Sequence, residues 1–116
     1  MSSRPVPILL EDIQEAIEKI GRYTTGLQRQ AFLDDEKTAD AVVRNLEIIG
    51  EAANRLPAEF HALHSEIDWR KIIGLRHRIV HDDFGADLEI VWNILQAELP
   101  AFARTLATIL ASASGQ

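Results

Sequence analysis

The stretch "LRHRIVHDDF", residues 75–84, sets Arg76 and His81 five residues apart, with His77 and Arg78 among the four between them and Asp82 and Asp83 directly after. These types suit chemistry on a phosphodiester. Cleaving RNA without a metal requires a group that takes the proton of the attacking 2′-hydroxyl. It also requires a group that protonates the leaving 5′-oxygen, and a cation against the phosphorane. Histidine carries protons near neutral pH. Arginine clamps phosphate oxygens, because its planar fork donates two parallel hydrogen bonds and stays charged. A helix C-terminus near His81 would favour the imidazolium.

The spacing alone does not bring the two together. On a continuous helix, residues five apart lie about 140° apart around the axis. Arg76 and His81 converge only if the helix ends near Val80 or if a partner helix closes the gap. A plainer reading stands beside the chemical one: basic residues in a last helical turn complement the helix dipole, and His81 with two acids could be a surface cap. A metal site at His77 and His81 is disfavoured by the neighbouring arginines. His61 and His64 read as surface residues.

Charge sharpens the contrast. The chain of 116 residues has a net charge of −6, which argues against a generic polyanion binder. Yet residues 69–81 hold Arg70, Lys71, Arg76, Arg78 and two histidines, and no acid. A polyanion meets attraction at this one place and repulsion over most of the rest.

The elements that must position this segment read as helical throughout. Leu9, Leu10, Ile13, Ala16, Ile17 and Ile20 recur at spacings of three and four, which predicts a helix over 8–24. Residues 1–7, with Pro5 and Pro7, read as an extended flexible end. "DDEKT" reads as a polar loop before a second helix over 38–56, whose stripe of Ala39, Val42, Val43, Leu46, Ile49, Ala53 and Leu56 is widened by Ile48, Gly50 and Ala52. Such a width predicts burial on more than one side, and Gly50 predicts close packing within the bundle or across a dimer.

A short helix follows Pro57. Asp68 is the expected N-cap of a helix over 69–80, and Asp87 that of a last helix over 88–111. Pro100 predicts a kink there, because its ring clashes with the carbonyl of Gln96. Residues 112–116 read as a second flexible end. The sum is one domain over 1–116: an all-α antiparallel bundle of four helices plus one short helix. A chain of this size buries roughly two-thirds of its unfolded surface and can hold a core unaided. The absence of cysteine excludes disulfides and suits a cytoplasmic location. No apolar run reaches the length of a membrane helix.

Three blocks, "AVVRNLEIIGEAANRLP" at 41–57, "IDWRKIIGLRHRIVHDDFGAD" at 67–87 and "VWNILQAELPAF" at 91–102, make the chain resemble the HepT-like toxins of the HEPN superfamily. These are small all-α ribonucleases encoded with MNT-type nucleotidyltransferase antitoxins. The resemblance runs from about Ile8 to Leu110. It implies catalytic roles for Arg76 and His81, which match the family's Arg, four to six residues, His motif. It implies no cofactor, a homodimer whose two motifs face one cleft, an RNA substrate and a nucleotidyltransferase partner. His77, Arg78, Lys71, Arg70 and Asp83 stand as supporting or RNA-binding positions.

Two positions depart from the motif. His77 replaces a frequent asparagine. Asp83 replaces the tyrosine that some partner enzymes modify with AMP, and an aspartate cannot form a tyrosyl ester. Asp83 could repel RNA phosphate or orient His81. These departures keep a second expectation open: a non-catalytic helical dimer that binds a nucleotidyltransferase or RNA.

Overall fold

The computed structural model describes residues 4–80 and 85–114. Among the described residues the fold has eight α-helical segments and one π-helical segment: α1 Val6–Thr24, α2 Arg29–Asp34, α3 Glu36–Arg55, α4 Ala58–Leu63, α5 Trp69–Ile73, α6 Leu75–Ile79, α7 Leu88–Asn93, the π segment Ile94–Glu98, and α8 Leu99–Ser114. Among the described residues there is no strand, only an isolated antiparallel bridge between Val80 and Ala86. No described helix is long and apolar enough to cross a membrane. The expected four rods are α1, α3, the α5–α6 pair and the α7–π–α8 run, so the fold is all-α as the patterning requires.

Helix α3 is the central rod. It packs against α1 along most of its length, and against α2, α5 and α6 on other sides. Val42, Leu46, Ile49 and Ala53 are fully buried on it, and Ala52 and Leu56 nearly so. Asn45 is its buried polar residue and donates from Nδ2 to the Ala41 carbonyl at 2.9 Å. The wide apolar arc of this helix is therefore accounted for within one chain.

Gly50 explains how α5 comes so close. A Cβ built there would lie 3.1 Å from the carbonyl oxygen of Ile72 and 3.4 Å from that of Ile73. Only a residue without a side chain lets the backbone of α5 settle against α3 at this distance.

Several boundaries differ from expectation for identifiable reasons. Helix α1 starts at Val6, because Pro7 sits in the first turn, where a missing N–H deprives the helix of nothing. Helix α2 falls mostly before the "DDEKT" stretch, in residues to which the sequence pattern assigns no element. It is six residues long, too short for a periodic stripe, and its single fully buried side chain, Phe32, packs on Trp92 with ring centroids 5.5 Å apart. Part of "DDEKT" is a cap: Asp35 accepts from the Thr38 backbone N–H at 3.1 Å and from its hydroxyl at 2.7 Å. The Thr38 hydroxyl, with its backbone N–H, holds the Asp35 carboxyl below its usual range.

The helix expected over 69–80 is interrupted at Gly74, where ψ opens to 6°. At the far end, the backbone departure forced by Pro100 is taken up one turn earlier. Leu99 N–H donates to the Ile94 carbonyl, five residues back, in the π segment. The apolar stripe stays in phase across it, and Leu95, Leu99, Phe102 and Leu106 remain buried. Helix α8 continues to Ser114, past the expected end at 111.

His61 and His64 are half-buried and take part in an aromatic cluster, which corrects their reading as plain surface residues. His61 Nε2 lies 2.8 Å from the Ala53 carbonyl, and its ring stands 4.8 Å from that of Trp69. The Trp69 indole donates to the His64 carbonyl at 3.0 Å.

Candidate active site

The α5–α6 rod and α3 form the two walls of an open groove of about 840 Å³. Arg70, Arg76 and His77 come from the first wall; Arg44, Glu47, Glu51 and Asn54 come from α3, with Gly50 in the floor. The close approach at Gly50 is what builds it. The backbone of Ile72 and Ile73 rests on α3, and the next turn, α6, then carries Arg76 over Glu47.

Arg76 is mostly exposed, with 70% of its side chain open to solvent. Its Nε lies 3.3 Å from Oε2 of Glu47, a carboxylate that is 28% exposed. A guanidinium has five N–H donors. A contact through Nε leaves the two terminal nitrogens out of this contact, and they form an edge that can bind phosphate oxygens in pairs. Among the described lining residues three arginines face two glutamates, so this part of an acidic chain is weakly cationic there.

The remaining basic residues of the segment divide between faces. Arg78 lies about 200° around the helix from Arg76. It pairs with Glu98 of the π segment through two hydrogen bonds of 2.7 and 2.5 Å. This bidentate pair holds the Glu98 carboxyl below its usual range and raises the Arg78 guanidinium further. Lys71 also points to that side, where it lines a smaller cavity with Glu66 and Glu98. Arg70, Arg76 and His77 thus share the groove, while Lys71 and Arg78 stand behind it.

His81 and Asp83 lie outside the described residues. What fixes the start of their segment is described: α6 ends at Ile79, and Val80 is extended, with φ −106° and ψ 124°. Val80 bridges to Ala86, and Asp87 N–H donates to the Ile79 carbonyl at 2.6 Å. Gly85, at φ 74°, takes the left-handed conformation next to the bridge. The angular separation of a continuous helix therefore no longer applies between Arg76 and His81, because the helix stops two residues before His81. Asp87 closes the far side by capping α7, accepting from the N–H groups of Glu89 and Ile90.

The profile of the family described as "Ribonuclease HepT-like" matches residues 13–109. This chain belongs to the HepT-like ribonuclease family. The match spans both walls of the groove and the whole interval from Arg76 to His81. A probable ribonuclease HepT of Thermococcus cleftensis is 44% identical over 92 residues, covering 79% of this chain and 84% of the relative. A candidate RNase of Caldanaerobacter subterraneus subsp. tengcongensis is 36% identical over 101 residues, covering 87% and 90%. One from Methanocaldococcus jannaschii is 33% identical over 116 residues, covering 100% and 96%. No solved structure matches. The expectation of a HepT-like, all-α ribonuclease is met at the level of the family.

Sequence reasoning passed over the α3 wall. Arg44, Glu47, Glu51 and Asn54 recur at spacings of three, four and three, which is a polar stripe beside the apolar one. That stripe next to Gly50 was the available signal.

Proposed function

We propose that this chain is the toxin of a toxin–antitoxin pair, an endoribonuclease that cuts RNA by attack of the 2′-hydroxyl on the adjacent phosphorus. In this reading Arg76 holds the scissile phosphate and stabilises the charge that builds on its equatorial oxygens. His81 acts in proton transfer. The 2′-oxygen loses its proton and bonds to phosphorus, the bond to the 5′-oxygen breaks, and that oxygen gains a proton. The products are a 2′,3′-cyclic phosphate and a 5′-hydroxyl, and no step of this route calls for a metal.

The observation that carries the reading is the placement of Arg76. Within a family of ribonucleases, the arginine that matches the motif stands in a cationic groove of an acidic chain, three residues before its helix ends. A homodimer would bring a second Arg76 and His81 to the same cleft. The partner that restrains it would be an MNT-type nucleotidyltransferase. RNA incubated with the purified chain in EDTA tests this: fragments ending in cyclic phosphate are expected. A stable complex with a neighbouring nucleotidyltransferase and no cleavage at any concentration would favour the non-catalytic helical partner instead.

A further inference from the structure

We infer that the RNA strand runs along α3, with Arg44 and Arg70 holding backbone phosphates on either side of Arg76. The inference rests on the ribonuclease reading and adds to it the path of the substrate and two residues that bind it without taking part in the reaction.

Two contacts fix the relative direction of the walls. Gly50 lies against Ile72 and Ile73, and Glu47 lies against Arg76. As the α5–α6 rod advances in sequence, its neighbours on α3 recede, so the walls run antiparallel. Arg70 accordingly falls toward the Asn54 end of the groove and Arg44 toward the His77 end, with Arg76 between them. From Arg44 to Asn54 the helix rises about 15 Å. At about 3.4 Å per stacked nucleotide along one strand, that is room for roughly four.

The state of the arginines supports a binding role for these two. Arg4, Arg29, Arg55, Arg76 and Arg78 each pair with a carboxylate. Arg44 and Arg70 are exposed and make no ion pair with a described residue. Their guanidinium groups line the groove uncommitted to any described residue, and each can take a phosphate without giving up a described partner. Arg22 and Arg104 are exposed and without an ion pair among the described residues as well, but they stand outside the groove. They supply an internal control.

The test measures binding of a 2′-O-methyl RNA octanucleotide, which lacks the attacking hydroxyl, to the full-length chain over a range of salt. Cleavage of the matching RNA is followed in parallel. Arg44→Gln and Arg70→Gln should each weaken binding roughly five- to tenfold and lower the salt slope by about 0.7, the loss of one phosphate contact on a single strand. Arg22→Gln and Arg104→Gln should bind as the parent does. Equal weakening in all four variants would overturn the inference, since only net charge would then matter. Parental binding by Arg44→Gln and Arg70→Gln, with cleavage still dependent on Arg76, would overturn it and leave the ribonuclease reading intact. Neither binding nor cleavage by the parent chain would overturn both.

Discussion

Arg76 Nε stands 3.3 Å from Glu47 Oε2 across the groove, so the cation best placed for an RNA phosphate already faces a carboxylate. Both groups touch solvent, and an ion pair of this kind is worth about 0.2–1 kcal/mol. It is weak enough for a phosphate to displace and strong enough to be felt in affinity. Glu47→Gln removes the competing charge and should tighten binding of uncleavable RNA two- to fivefold, read by titration at low salt. Weaker binding in the variant would mean that Glu47 instead aligns Arg76.

The groove depends on Gly50. Gly50→Ala gains about 1 kcal/mol of helix propensity but pushes a methyl against the carbonyls of Ile72 and Ile73. Overpacking typically costs about 1–3 kcal/mol. The variant should be less stable by about 1 kcal/mol in urea unfolding. It should also cut RNA more slowly, because α5 and α6 move off α3 and take Arg76 with them. An unchanged cleavage rate would detach the groove from the close packing.

Behind the groove, Arg78 and Glu98 join α6 to the π segment. Hydrogen bonds from Arg78 depress the Glu98 carboxyl from its ordinary 4.5, so it holds its proton less tightly when folded than when unfolded. The stability it contributes is present above pH 4.5 and is lost as pH falls through the lower, folded value. Glu98→Gln should cost about 1 kcal/mol at pH 7, allowing for solvent screening of a partly exposed pair. That difference should shrink as pH falls below 4.5 and through the lower, folded value. Thermal unfolding of both proteins across that range checks it, and a constant difference would assign the loss to packing.

The resemblance to HepT-like proteins implies that Asp83 stands at the position of a modifiable tyrosine. If a nucleotidyltransferase partner restrains this chain, it should do so by tight binding in the absence of ATP. Intact mass after incubation with the partner and ATP should show no added AMP on a tyrosyl ester. Modification of Tyr23, the one tyrosine, would contradict this.

What the sequence made legible follows physical range. The stripe of Leu9, Ile13, Ala16 and Ile20 and the caps at Asp68 and Asp87 are local signals, and each appears as read. Gly50 read correctly as a close-packing glycine, because an unexplained glycine inside a helix needs a neighbour that a side chain would displace. Helix α2 escaped notice because a single buried Phe32 carries no period.

The site was half legible. Arg76 stood out from composition, but its partner Glu47 is 29 positions away in the chain, and nothing local announces which helix faces which. The same holds for Arg78: read from sequence as a supporting or RNA-binding position, it turns to Glu98, because two steps along a helix reverse its direction.

The most direct test of the central claim is the single-turnover rate of RNA cleavage in EDTA by the parent chain, Arg76→Ala and His81→Ala, each first shown to be folded by circular dichroism. The expected result is cleavage to cyclic-phosphate ends by the parent and a loss of roughly 10²–10⁴ in each variant, the usual range for a proton-transfer group or a clamp on transition-state charge. Both variants cutting as fast as the parent would contradict the assignment of this groove as the active site.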